Sequence, residues 1–341
     1  MFKTVPVEDA VGKVLPHDIT EIIKDKKKGV AFKKGHIVRH MDIEYLKRLG
    51  KDNIYVLSLT DDMIHENEAA TLLVKALAGK GVEYTEHPVE GKIAIKSSID
   101  GLLRINKDAL FQFNMLGEVM CATLHDNTPV KKGETVAATR LIPLVTSRDL
   151  VENAVKLTLT GRPVVEVLTL PKKKVGLVIT GSEVFYGRIE DRFEQVLRQK
   201  LKLLGSEVSI VRLAPDDKDI IGAEINACIK SGAECVVTSG GMSVDPDDVT
   251  REGILKAGAT NVVYGTPVLP GAMFLVGEID NVPVLGLPAC GMYHKTTVFD
   301  LILPRILTGQ QIGRAELAEL GHGGLCRNCK TCTYPVCDFG K

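Results

Sequence analysis

The 341 residues contain no tryptophan, and only seven tyrosines and nine phenylalanines. So few rings argue against a base-stacking surface of the kind single-stranded nucleic acid needs. Net charge is also missing. The 43 Lys and Arg residues balance 43 Asp and Glu, so bulk electrostatics draw no polyanion to the chain, and no nucleic acid is expected as a partner. The basic clusters Lys26-Lys27-Lys28, Lys33-Lys34 and Lys172-Lys173-Lys174 are local and read as solvated loops or linkers. No apolar run approaches the length of a membrane span. The segment from Met1 to Glu8 has neither the apolar core nor the cleavage site of a secretory signal. Neither a G-x-G-x-x-G fingerprint nor a P-loop is present. A cytoplasmic protein is expected, with no membrane partner and with its eight cysteines reduced or metal-bound rather than paired in disulfides.

The length leaves room for two or three domains. The pattern predicts a small β-rich domain over residues 1–62, with a tight hairpin around Gly35 and a helix from Ile43 to Leu49. A mixed, barrel-like domain is expected over 63–172. It opens on an amphipathic helix (Ala69, Leu72, Leu73 and Ala76 in register), turns to β patterning from Val82 to Leu144, and closes on a helix from Asp149 to Thr160. His36, His40 and His125 read as structural or surface residues.

At Pro171 the style changes. Val175 to Ile179 is a continuous apolar run, as expected for a parallel strand buried on both faces. Helical and strand segments then alternate to a last predicted helix, Thr296 to Leu307. The implied fold is α/β, a doubly wound and mostly parallel sheet over residues 173–312. Ligands of such sheets sit beyond the carboxyl ends of the strands. Those ends here read Thr180-Gly181-Ser182-Glu183, Asp216-Asp217, Ser239-Gly240-Gly241-Met242-Ser243 and Pro288-Ala289-Cys290-Gly291. The Gly240-Gly241 pair suits a backbone cradle for a phosphate or other oxyanion. Asp245, Asp247 and Asp248 follow it, which makes sense if Mg²⁺ bridges carboxylates and phosphate oxygens.

At these residues the segment from 173 to about 310 resembles the molybdopterin-binding domain of molybdenum cofactor biosynthesis. It is most similar to the molybdopterin molybdenumtransferase family, which includes the C-terminal domain of gephyrin. Thr180-Gly181-Ser182-Glu183-Val184 is similar to that family's Thr-Gly-Asp-Glu-Leu, and Thr238-Ser239-Gly240-Gly241-Met242-Ser243-Val244 to its Thr-Ser-Gly-Gly-Val-Ser-Val. Pro270-Gly271 matches the start of Pro-Gly-Lys-Pro, and Gly286-Leu287-Pro288 the start of Gly-Leu-Pro-Gly-Asn-Pro. The resemblance implies that Glu183, Asp216 and Asp248 hold metal or molybdate. It also implies that the Gly-Gly loop takes the phosphate end of the pterin, and that the protein is a homodimer. The ligand set expected on these grounds is Thr180, Gly181, Ser182, Ser239, Gly240, Gly241, Ser243, Asp245, Pro270, Gly271 and Pro288, with molybdopterin, Mg²⁺ and molybdate as ligands or substrates. Two activities fit: a transferase that inserts molybdate into molybdopterin, or a non-catalytic protein that holds the pterin or finished cofactor for a client molybdenum enzyme. The chain departs from the pattern where Ala272 replaces the lysine of Pro-Gly-Lys-Pro, where Leu269 stands at another usual lysine, and where Asp245 replaces a glycine. His294 and Lys295 are nearby sources of replacement charge.

The last residues carry Cys326, Cys329, Cys332 and Cys337 in a C-x₂-C-x₂-C-x₄-C run. Over residues 313–341 this reads as a metal-binding tail. The short spacers resemble an iron–sulfur run, and four thiolates also suit zinc.

Overall fold

The computed structural model describes residues 2–23, 27–57, 61–159, 161–243 and 245–341. The chain forms two compact units. The first comprises Met1–Ser98, Ile105–Leu124 and Gly133–Glu166; the second comprises Ile99–Arg104, His125–Lys132 and Val167–Lys341. Among the described residues, no helix is long and apolar enough to cross a membrane.

In the first unit, Phe2–Pro6 pairs antiparallel with Asn53–Leu57, and Ile19–Ile23 with Lys27–Phe32. Val7, Leu15, Val38, Leu46 and Ile54 form the core beneath them. The hairpin expected around Gly35 is displaced. Gly35 does turn the chain at a φ of 85°, but the strand before it pairs backward with Ile19–Ile23. Lys26 and Thr160 lie outside the described residues. A second layer packs helix Glu66–Leu77 through Ala69, Ala70, Leu73, Val74 and Leu77. It includes an antiparallel sheet in the order Val82–Tyr84, Lys92–Ser97, Thr135–Leu141, Val119–Thr123. Helix Lys107–Asn114, which the β patterning of this region hid, is started by Asn106, whose side chain accepts from Ala109 N.

The second unit carries a six-stranded sheet. Its strands are β1 (Lys174–Thr180), β2 (Glu207–Ala214), β3 (Cys235–Ser239), β4 (Thr260–Tyr264), β5 (Leu275–Ile279) and β6 (Val282–Leu287). The order is β2-β1-β3-β6-β5-β4. The first four in that order are parallel, and β5 and β4 close one edge antiparallel. The fold is therefore α/β with a mostly parallel sheet. Residues of β1 alternate between the two faces, and all from Val175 to Thr180 are buried. Val175, Leu177 and Ile179 join one core with α1 (Phe193–Leu203) and α4 (Val298–Leu307). Val178 joins the other core with α2 (Lys218–Lys230) and α3 (Thr250–Lys256). Helices on both faces leave the strand ends as the open edges of the layer.

A further helix, α5 (Arg314–Glu319), follows α4. The chain then folds back: Phe339 is buried against α4, with Tyr334, Cys326 and Cys337 packed beside it.

Candidate functional site

The loop after β1 is pinned to the loop after β2 by a reciprocal pair of hydrogen bonds. Ser182 N donates to Asp216 Oδ2 at 2.8 Å, and Asp216 N donates to Ser182 Oγ at 3.1 Å. Gly181 holds a φ of 134°, a conformation that L side chains rarely adopt. A Cβ there would come within 2.9 Å of Glu183 Oε1, so the exposed Glu183 carboxylate lies over the bare backbone of Gly181.

The loop after β3 is built on Thr180 and Thr250. Thr180 Oγ1 donates to Ser239 O at 2.7 Å and lies 2.8 Å from Thr250 Oγ1. Gly240 and Gly241 both have positive φ. A Cβ on Gly240 would sit 2.9 Å from Thr180 O, and one on Gly241 would overlap Thr250 Oγ1. Gly240 is thus required by the close approach of the β1 end, and Gly241 by the start of α3. Among the described residues, Ser239 Oγ is buried without a hydrogen-bond partner, a condition that costs about 1–3 kcal/mol. Two donors of the expected cradle are engaged within the protein. Gly240 N bonds Leu287 O at 3.3 Å, and Ser243 N bonds Asp248 Oδ2 at 2.9 Å. Asp248 N in turn donates to Asp245 O at 3.0 Å. Asp248 is half-buried, whereas Asp245 and Ser243 are exposed.

Pro288 follows β6 and is buried. Pro270 O accepts from Val298 N at 3.2 Å, and a Cβ on Gly271 would strike Val298, so the Pro270-Gly271 turn rests on the start of α4. The structure joins Ser182 to Asp216 by direct bonds, in one group with the neighbouring Thr180, Gly181 and Glu183. Ser239, Gly240, Gly241, Ser243, Asp245 and Asp248 form a second, linked to the first through Thr180. The Pro270-Gly271 turn is tied to α4 instead. Among the described residues, no three His, Cys, Asp or Glu side chains converge to hold a metal ion. Glu183, Asp216 and Asp248 are therefore not drawn into one ligand shell. Thr250 escaped the sequence reading. It lies 70 positions from Thr180, and nothing in local spacing marks it.

The tail makes a second site. Cys326, Cys329, Cys332 and Cys337 all line one cavity of about 300 Å³, together with Tyr293, His294, Lys295 and Thr296. His294 and Lys295, candidate charges for the sheet-end site, thus lie along the cysteine cavity. Thr296 Oγ1 is 3.2 Å from Cys332 Sγ, and Asn328 N donates to Cys326 Sγ at 3.5 Å. Tyr334 donates its hydroxyl to Asp300 O at 3.2 Å. Burial raises the Tyr334 pKa above its ordinary value, and negative charge at Asp300, Cys337 and Cys332 adds to the shift. The other cysteines differ in character: burial pushes the Cys121 and Cys235 thiols up to about 12 and Cys228 up to about 11. Protonated and inert at neutral pH, those three serve packing.

An open, mostly parallel sheet with glycine and carboxylate loops at its strand ends is the arrangement on which α/β domains place ligand sites. Residues 176–308 match the family described as a probable molybdopterin binding domain. Residues 4–58 match a domain of unknown function, DUF8806. Among curated proteins, the chain is 28% identical over 222 residues to a molybdopterin molybdenumtransferase of Haemophilus influenzae, covering 61% of this chain and 51% of that protein. It is 34% identical over 83 residues to a CinA-like protein of Mycobacterium tuberculosis, covering 24% of this chain and 19% of the other. The chain thus spans about half the length of the first relative and about a fifth of the second. Similar solved structures include a molybdopterin biosynthesis moea protein from Pyrococcus horikosii, with 17% identity, a TM-score of 0.34, and coverage of 90% of this chain and 75% of that one. Another is the protein CinA from Thermoplasma acidophilum, with 18% identity, a TM-score of 0.36, and coverage of 40% of this chain and 98% of that one.

Proposed function

We propose that the second unit binds molybdopterin and, with Mg²⁺, assists insertion of molybdate into it. The observation that carries this reading is the linked pair of loops at the ends of β1 and β3, inside the segment that matches the molybdopterin-binding family. The Ser239–Ser243 backbone receives the phosphate end of the pterin. Asp248 would release Ser243 N–H to a phosphate oxygen and offer its carboxylate to the cation, with either Asp216 or Glu183 as one further oxygen donor. The dispersed carboxylates fit Mg²⁺, which takes one or two protein carboxylates and completes its shell with phosphate oxygens and water. Bound there, Mg²⁺ neutralises charge on the phosphate and oxyanion. A homodimer and a cytoplasmic setting belong to the same reading, and the tail thiols are read as ligands of an iron–sulfur cluster or zinc.

The test is an insertion assay with purified protein, molybdopterin, Mg²⁺ and molybdate. Asp248→Ala should lower the insertion rate about a hundredfold, while changing pterin affinity, read by pterin fluorescence, by less than about tenfold. Loss of both in equal measure from a folded variant would assign Asp248 to binding alone. A second reading, a protein that holds the pterin or finished cofactor for a client molybdenum enzyme, is favoured by one observation. Ala272 and Leu269 stand where the family's lysines would meet an oxyanion. Tight pterin binding without insertion by the wild-type protein selects it.

A further inference from the structure

The structure assigns the tail cavity to a polynuclear iron–sulfur cluster held by Cys326, Cys329, Cys332 and Cys337, and not to a single zinc ion. This inference rests on reading the tail thiols as metal ligands, and is independent of what the sheet-end site binds.

Three observations carry it. The first is size. Four thiolates on one zinc lie about 2.3 Å from the ion and so within roughly 4 Å of one another. Such a shell encloses the ion and leaves no space inside. Here the four cysteines instead help to line a cavity of about 300 Å³, and among the described residues no three of them converge closely enough to hold a single ion. That space suits a body of several metal and sulfide atoms.

The second is spacing. Three of the thiols come from one loop at two-residue intervals, and the fourth follows after four more residues. A continuous run of this kind delivers successive ligands to different irons of one cluster. Structural zinc more often takes two separate knuckles. Asn328, between the first two cysteines, has a φ of 52°, so the chain turns tightly at that point.

The third is the surroundings. Two sulfurs already have polar partners, Cys326 from Asn328 N at 3.5 Å and Cys332 beside Thr296 Oγ1 at 3.2 Å. Hydrogen bonds to cysteine sulfur stabilise the thiolate and tune a cluster's potential. The loop is also anchored. Leu269 N donates to Gly324 O and Cys326 N donates to Leu269 O, each at 2.8 Å, and Phe339 is buried in the core below. A preformed, fixed frame favours a rigid inorganic body over a tail that folds only around its ion.

The experiment uses the full chain, purified without oxygen and reconstituted with ferrous iron and sulfide. Iron and sulfide per chain, the visible spectrum, and electron paramagnetic resonance after reduction are read. Equal iron and sulfide, roughly two or four of each per chain, with broad visible absorption, is the expected result. Cys329→Ser and Cys332→Ser should each lose most of the iron. Both cysteines are exposed, and unchanged circular dichroism separates ligand loss from unfolding. Cys290→Ala, outside the cavity, should keep the full complement. A wild-type protein that takes one zinc and no sulfide overturns the cluster and leaves the thiols as metal ligands. A folded wild type that takes no metal overturns both. Full iron in the two serine variants overturns the four-thiolate ligation. Pterin fluorescence on the same samples reports separately on the sheet-end site, so failure of the cluster and failure of pterin binding are distinguished.

Discussion

His65 shows how one side chain can carry a pH response without taking part in either candidate site. Its Nε2 lies 2.8 Å from Pro16 O and so carries the ring proton, while Nδ1 faces Asn67 N–H at 3.2 Å and the Lys34 ammonium at 3.0 Å. A second proton on Nδ1 would set it against both donors. Burial, foremost, and the Lys34 charge lower its pKa from 6.5, while the Pro16 bond opposes them. Below pH 6.5 the unfolded chain therefore takes up a proton that the folded one resists. Stability falls as pH drops from 6.5 through the lowered folded value, and is level with respect to this group above 6.5. Urea midpoints at about pH 7.5 and 5.5 should show a larger acid loss for wild type than for His65→Gln. Equal losses would remove His65 from the account. Burial also lowers the His17 pKa, which is why the difference between the two proteins, not the wild-type slope, is the measurement. At this scale the sequence was informative in one direction only. Gly240 and Gly241 announce a special backbone, whereas the partners that require them, Thr180 and Thr250, are separated by 70 positions.

Among elements, α4 is the one on which the second unit depends. It is apolar nearly all round, with every residue from Leu301 to Leu307 buried, so it must enter a core on more than one face. Its start is fixed by Thr297 and Asp300, the latter accepting from Thr297 N at 2.8 Å. Lys200 of α1 reaches both Asp300 oxygens at 2.5 and 2.7 Å and donates to Lys295 O at 2.7 Å. Only 12% of the Lys200 side chain and 15% of Asp300 remain exposed. Removing the cation would strand a largely buried carboxylate, so Lys200→Met should cost about 3 kcal/mol in denaturant titrations. A loss below about 1 kcal/mol would place the pair with ordinary surface ion pairs. The strands and helices of this unit were legible because their periodicities are clean: Val175–Ile179 is a buried strand on sight, and Phe193, Leu197 and Leu201 mark one helix face. The misses have weaker signals. Helix Lys107–Asn114 buries only Ala109 and Phe113, α5 buries only Leu317, and Gly35 marks a turn without saying which strand pairs with which.

On the scale of the whole molecule, both candidate sites lie in the second unit, joined through the backbone of Leu269. That residue is bonded on both sides to the tail, to Gly324 and Cys326, and it directly precedes the Pro270-Gly271 turn. Pro270 O in turn holds Val298 N at the head of α4. Cys326 is thus at once a wall of the cysteine cavity and the neighbour of a loop proposed to meet the pterin. The sequence showed the four thiols and the Pro-Gly turn as separate features, more than fifty positions apart, because a bridge of two backbone bonds leaves no trace in residue type. If a bound cluster fixes the Cys326 loop, its removal should loosen the strand-like bridge and pass to Leu269, Gly271 and the start of α4. Stripping the reconstituted protein with a chelator under reducing conditions should therefore speed amide hydrogen exchange at Leu269, Gly271 and Cys326, while leaving β1 and β3 protected. Pterin affinity should fall by about threefold to tenfold in the same samples, a coupling of roughly 1 kcal/mol. Exchange that quickens at Cys326 but not at Leu269 and Gly271 would show that the tail opens without moving the turn, and that the two sites act independently.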